Sequence, residues 1–215
     1  VFSNDRDATA GSYVRSWDSS DTESFTQELV LQSQGNKLDW VIGAYYLGEE
    51  YSRNLFIDSD RPALGLPAPY ILDFSLNRYD TTSMSFFADG TWNITEAFRL
   101  SAGVRHTNDE IDEAHVNQVF VKIPDPLLIA ETCNQATKQD WSESTYRLAG
   151  QYDVSDESNV YGSYSQGYKA GGVPHFECSP AYDPELVDAF EVGYKARFNG
   201  GATTLSAAAF YYDYA

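Results

Sequence analysis

The chain has 215 residues, 32 acidic against 14 basic, and a formal net charge of −18. That balance excludes nucleic-acid binding through phosphates, which draws on lysines and arginines in number. Aromatic residues make up 15%, too many for a disordered acidic chain, and no apolar run approaches the ~18 residues of a membrane-spanning helix. One large β domain or two small domains fit the length. A membrane crossing by strands stays open, because a barrel strand shows only alternation.

Helical periodicity is nearly absent, whereas period-two alternation is frequent. A first hairpin is read at roughly 22–34 and 38–53, around the polar turn "QGNKL". A second joins roughly 79–93 to 98–113 around "NITEAF". On its first strand Met84, Phe86, Ala88 and Trp92 oppose Ser83, Ser85, Asp89 and Thr91. On its second, Phe98, Leu100, Ala102 and Val104 oppose Arg99, Ser101, Gly103 and Arg105. A third hairpin joins roughly 139–154 to 159–170 around "VSDESN", and a fourth joins roughly 186–198 to 202–215. The fourth turns at Asn199-Gly200-Gly201, a strong hairpin signal. Longer acidic connections near 54–78, 114–138 and 171–185 link the hairpins. Short turns therefore gather at one end of the sheet and long loops at the other.

Strand length separates the fold classes. Soluble domains use strands of about 5–6 residues, and a tilted strand crosses a bilayer in about 9–11. The runs here are about 12–16 residues long. Trp40, Trp92, Phe98, Tyr152, Tyr161 and Phe198 lie beside the short turns. Tyr45, Tyr46, Tyr51, Tyr164 and Tyr168 lie towards the long loops. Two aromatic girdles around an apolar band are expected where a barrel meets two membrane interfaces. The alternative is a secreted β-sandwich or solenoid with an aromatic core.

Few residues suggest chemistry. "SYSQG" nearly spells the Gly-x-Ser-x-Gly elbow that presents a nucleophile, but Ser163 stands where the first glycine belongs. Alternation places Tyr161, Ser163, Ser165, Gly167 and Lys169 on the polar side of a strand, with Val160, Gly162, Tyr164 and Tyr168 towards lipid. Ser165 is accordingly a wall residue, and no catalytic residue, cofactor site or metal site is assigned. His106, His115 and His175 lack ligand spacing and are expected to be exposed. The acidic stretches "NDEIDE" and "DSDR" read as solvated loop charge, with divalent-cation bridging to lipopolysaccharide the rival. The sequon-like "NIT" falls in a tight turn and is discounted. Neither the start, "VFSNDRDATAG", nor the end, "AAAFYYDYA", carries a recognisable boundary signal, so a piece of a longer protein is expected.

The stretch "NVYGSYSQGYKAGG", followed by "DPELVDAFEVGYKARFNGGATTLSAAAFYYDY", closely resembles the barrel domain of TonB-dependent outer-membrane receptors. "SFTQELVLQSQGNKLDWVIGAYYLGEE" and "FADGTWNITEAFRLSAGVRHTNDE" extend the resemblance over most of 22–215, and it weakens in the long loops. It implies an all-β, antiparallel, up-and-down transmembrane barrel segment of about eight long strands, an open arc of a larger barrel. Residues 1–215 would form part of a single barrel domain whose plug and terminal strands lie outside this chain. By the same resemblance the protein is a bacterial outer-membrane transporter, not an enzyme, and takes up scarce nutrients, foremost ferric-siderophore complexes. Its partners would be outer-membrane lipid and lipopolysaccharide, a small-molecule ligand such as an iron chelate, and the inner-membrane TonB complex acting through the missing plug. A secreted carbohydrate-binding or adhesin-like module and a passive porin are the alternatives. One departure stands out: after Lys-Ala-Gly-Gly the family often continues Phe-Asn, and here Val173, Pro174, His175 and Phe176 follow. This bears on ligand identity.

Within that frame the lumen-side cations Arg99, Arg105, Arg147, Lys169, Lys195 and Arg197 have two readings. Arg105, Arg147, Lys169, Lys195 and Arg197 are candidates for contacting an anionic ligand. The structural reading, which we favour, pairs such cations with Asp89, Asp153 and Glu191 or with the plug. Cys133 and Cys178 fall in neighbouring long loops of a protein that matures through an oxidising compartment, and a disulfide between them is expected.

Overall fold

In the computed structural model, the backbone is described for residues 2–5, 14–59, 71–123, 125–174 and 180–215. Side-chain surroundings are described for 14–59, 73–118, 134–174 and 180–215. The chain forms one antiparallel sheet in strict sequence order, each strand bonded to the next. A four-residue strand β1 (Phe2–Asp5) precedes eight long ones: β2 (Val14–Ser33), β3 (Leu38–Ser59), β4 (Ile71–Asn93), β5 (Phe98–Ile123), β6 (Asp125–Ser155), β7 (Ser158–Lys169), β8 (Glu185–Phe198) and β9 (Thr203–Tyr214). The up-and-down order and the four short turns agree with the alternation read above.

Two expectations need correction. The strands of the first two hairpins do not stop at 53 and 113, and the stretches 54–59, 71–78, 114–123 and 125–138 are strand rather than irregular loop. Acidic and polar residues had disguised them, because above the membrane both faces of a strand meet water and the alternation of apolar side chains lapses. β6 alone runs 31 residues, about 100 Å of extended chain at about 3.3 Å per residue. The stretch that a bilayer requires is about a third of that.

Burial alternates with period two along β4 and β5, with odd positions enclosed and even positions exposed. The sheet therefore curls, with the odd face of these strands inside. On the outer face Leu29, Ile42, Met84, Phe86, Trp92, Val104, Leu148 and Val192 form a continuous exposed apolar belt. A belt of this extent is a contact surface for lipid, not for water. The concave side inverts a soluble core. Its buried residues include Ser75, Asn77, Ser85, Thr107, Glu113 and His115, while Leu55, Tyr79, Val173 and Ala196 are the only buried apolar ones among the described residues.

The short turns are closed by specific polar groups. The Thr95 hydroxyl accepts from the backbone N–H groups of Ala97 (3.3 Å) and Phe98 (3.0 Å), so the "NIT" threonine is a turn clamp. Asp39 accepts from the Gly35 N–H at 3.0 Å across the first turn. At the fourth turn Asn199, Gly200 and Gly201 all have positive φ (55°, 62° and 91°), a conformation that asparagine and glycine tolerate.

Candidate functional site

The stretch "NVYGSYSQGYKAGG" ends in this site. β7 stays with β6 only as far as the pair Arg147–Ser165, while it stays with β8 up to Lys169–Glu185. Beyond Ser165 the chain leaves the β6 edge and turns inwards. Residues 170–174 then fold across the concave face and are tied to the returning segment by paired hydrogen bonds between Gly172 and Tyr182 (3.2 and 2.9 Å). We call this two-legged segment, 170–174 with 180–184, the strap. The sequence reads 171–185 as a long connection beyond the end of the sheet, and the described part instead lies inside the concavity.

Two glycines permit the close approach. A Cβ on Gly171 would lie 2.3 Å from the Tyr182 carbonyl and 2.6 Å from the Trp141 ring, and one on Gly172 would lie 2.3 Å from the Tyr182 hydroxyl. The Gly-Gly pair in "KAGG" is therefore a packing requirement. Val173, on the first leg of the strap, is buried. Tyr168, placed towards lipid by alternation, instead has its hydroxyl buried beside Asp109 and Glu143. The ladder to β6 has ended at that point, and the phenol turns through the opening.

Three cross-strand rows floor the strap. Tyr51, Tyr79, Glu113 and Thr137 form the outermost, then Glu49, Thr81, Ile111 and Gln139, then Leu47, Ser83, Asp109 and Trp141. A cleft of about 330 Å³ opens between floor and strap, with Glu49, Tyr51, Tyr79, Thr81 and Ile111 on one side and Val173 and Tyr182 on the other. The Tyr51 and Tyr79 rings lie 6.0 Å apart. Tyr79 donates to Glu113 at 2.9 Å. Burial first, and the Glu113 carboxylate second, push the Tyr79 phenol well above its ordinary value, so it remains a neutral donor. Sequence reading missed this group of residues, although the spare glycine pair was a usable signal of close backbone approach.

The cations named from sequence scatter over the wall. Arg147 pairs with Asp89 at 2.9 Å, and Arg99 binds both oxygens of Asp153 at 2.6 and 2.7 Å. Lys169 pairs with Glu185 at 3.1 Å, both well exposed. Glu191 accepts from the Tyr161 hydroxyl, whose ring lies under Lys195 at 5.1 Å, so a phenol takes the place of the anticipated cation. Arg105 lies over the rings of Tyr45 and Phe87, at 6.0 and 5.9 Å, and donates to Thr107. Arg197 lies near the short-turn end beside Asp153 and Glu157 and makes no ion pair among the described residues. None of the five ligand candidates lines the cleft among the described residues.

Ser165 sits mid-strand between Arg147 and Ala189, with no strand-to-helix turn and no elbow. His106 is exposed and bonds Ser144 at 2.9 Å. His115 corrects its expectation: it is buried on the concave face against the Asn77 side chain, because the strand continues there. His175, Cys178 and the Cys133 side chain lie outside the described residues, and so does the "DSDR" stretch beyond Ser59. No group of metal-ligating residues occurs among the described residues.

An antiparallel up-and-down sheet with an apolar outer belt, a polar inner wall and a segment folded into its concavity defines a section of a transmembrane β-barrel. The family model described as TonB dependent receptor-like, beta-barrel matches residues 2–215, and the chain belongs to this family. Family members are outer-membrane transport receptors, not enzymes. Among solved structures the chain resembles the ferric yersiniabactin uptake receptor FyuA of Yersinia pestis, with 20% identity, a TM-score of 0.76, and coverage of 94% of this chain and 30% of that one. It also resembles the siderophore receptor PiuA of Acinetobacter baumannii (18% identity, TM-score 0.67, 96% and 34% covered). A third is the closed form of the ferric-catecholate import receptor Fiu of E. coli K12 (14% identity, TM-score 0.63, 93% and 32% covered). These identities speak for fold alone. The chain spans about a third of the length of these receptors. No curated protein sequence matches it.

Proposed function

We propose that this chain is part of the wall of an outer-membrane transporter that captures an iron chelate and passes it inwards, driven by the TonB complex of the inner membrane. The family match over 2–215 is the observation that carries this reading. The likenesses to FyuA, PiuA and Fiu support the iron-chelate class, since those proteins are a ferric yersiniabactin uptake receptor, a siderophore receptor and a ferric-catecholate import receptor. The apolar outer belt speaks for a bacterial outer membrane as its place and against a secreted adhesin-like module, which would leave that belt in water. Ion pairs such as Arg147–Asp89 and Arg99–Asp153 favour a structural role for those two cations. Arg105, with its guanidinium held by two rings, is the best placed of the five to meet a ligand or a plug.

The test is uptake of radiolabelled iron by cells whose own chelate receptors are deleted and replaced by the receptor that contains this chain. Chelate-dependent uptake that collapses on removal of TonB is expected. Uptake indifferent to TonB would make the protein a passive pore, and absence of iron uptake would remove the chelate assignment.

A further inference from the structure

We propose that the cleft under the strap selects uncharged or cationic iron chelates, those built from hydroxamates, and turns away the polyanionic catecholate class. The inference rests on the iron-chelate reading above and deepens it. Iron(III) held by three doubly ionised catechols carries three negative charges, whereas iron(III) held by three hydroxamates carries none. Charge is therefore what most separates the two ligand classes.

Among the described residues the cleft offers no cationic side chain to an anion. Glu49 stands on its wall, Glu113 lies directly behind Tyr79, and Asp109 occupies the next row of the floor. Glu143 flanks Asp109 and faces the buried Tyr168 phenol. No lysine or arginine lines the cleft among the described residues. The nearest inner-face cations at this level are already engaged, Arg53 by both oxygens of Asp18 and Lys169 by Glu185. Arg105 lies lower on the wall, over Tyr45 and Phe87. What the cleft does offer suits the other class. The Tyr51, Tyr79 and Tyr182 rings present faces that attract cations and pack against uncharged chelate backbones. The Glu49 carboxylate and Thr81 hydroxyl accept N–H and O–H donors. The volume of about 330 Å³ is at the lower end of the range for small-ligand sites and suits one lobe of a chelate.

The test uses the receptor containing this chain, expressed in cells that lack other chelate receptors and held without metabolic energy so that only binding is read. Radiolabelled iron is supplied as a neutral ferric trihydroxamate or as a ferric tris-catecholate. The expected result is binding of the trihydroxamate tighter by about tenfold or more, a preference that Glu49→Lys narrows or reverses and Glu49→Gln narrows less. Because the readout is a ratio between two ligands, expression level cancels, and heat-dependent gel migration reports folding of each variant. Equal or tighter binding of the tris-catecholate by the unaltered receptor overturns the inference and leaves the iron-chelate reading standing. A preference untouched by Glu49→Lys also overturns it, by placing selection elsewhere. Binding of neither chelate removes the iron-chelate reading, and this inference with it.

Discussion

Gly171→Ala should unlock the strap while leaving the barrel wall intact. The new Cβ would lie 2.3 Å from the Tyr182 carbonyl oxygen and 2.6 Å from two atoms of the Trp141 ring, about 1 Å inside ordinary contact. The carbonyl belongs to the strap's own second leg, and the indole is part of the floor, so neither yields cheaply. Overpacking of this kind typically costs about 1–3 kcal/mol. The relief available is to lift the first leg, at the expense of the two Gly172–Tyr182 hydrogen bonds. Since the strap lies outside the strand ladders, the cost appears as local opening. Amide hydrogen exchange at Gly172 and Tyr182 should speed up by about 5- to 150-fold, the Boltzmann equivalent of that range. Urea midpoints of the folded receptor should hardly move. Gly162→Ala serves as the control, because its Cβ would meet only the Glu191 carbonyl at an ordinary 3.9 Å. Unchanged exchange in the strap, or an equal effect from Gly162→Ala, would refute the account of why these glycines are there.

Leu100→Arg should destabilise the receptor in bilayers by roughly 2–4 kcal/mol, because Leu100 lies on the outer belt beside Trp92. Ser101→Arg should lose about 1 kcal/mol with the Thr91 hydrogen bond (2.8 Å) and little more; refolding titrations that give equal costs would reverse the facing. The Tyr79 phenol, raised by burial and by Glu113, should contribute stability that is complete below about pH 10, where an unfolded tyrosine ionises, and lost as pH climbs through the folded value. An alkaline absorbance titration of wild type minus Tyr79→Phe should show no phenolate near pH 10, and its appearance there would contradict the buried pair. Gly200→Val should cost about 1–2 kcal/mol purely through its φ of 62°, as nothing lies within 4 Å of its Cβ, while Gly200→Asn should be nearly neutral in urea melts.

Hairpins and facing were legible in the sequence wherever one side of a strand meets lipid and the other water. Met84, Phe86, Ala88 and Trp92 alternate cleanly for that reason, and the structure puts them on the outer face. Above the belt the reason vanishes. Glu110, Asp112 and Lys138 point outwards into water while Ile111 and Glu113 point in, so no apolar period marks β5 and β6 as strands. The cleft was less legible still. Glu49, Tyr79 and Trp141 are 92 residues apart at the extremes and come together only through register, and Tyr182 arrives on a segment with no regular structure. The cations attracted attention because charge on a lumen strand is conspicuous, yet Arg99 and Arg147 are engaged with Asp153 and Asp89 on adjacent or next-adjacent strands. Charge alone says nothing about the availability of a side chain.

The inequality of the strand lengths shapes the way in. β2 to β6 run 20 to 31 residues and stay paired with one another nearly to their tips, making a stiff palisade. β7 and β8 run only 12 and 14, so the rim drops abruptly at the β6–β7 junction. Over this arc the mouth is a high fence beside a low sill, and the strap springs from the sill and leans across the inner face of the fence. A molecule descending along the fence meets acidic and aromatic side chains first and the strap last. One arriving over the sill meets the strap at once. The height of a strand, a property fixed by nothing more than how many residues it contributes, thus decides which face of the strap a visitor touches first.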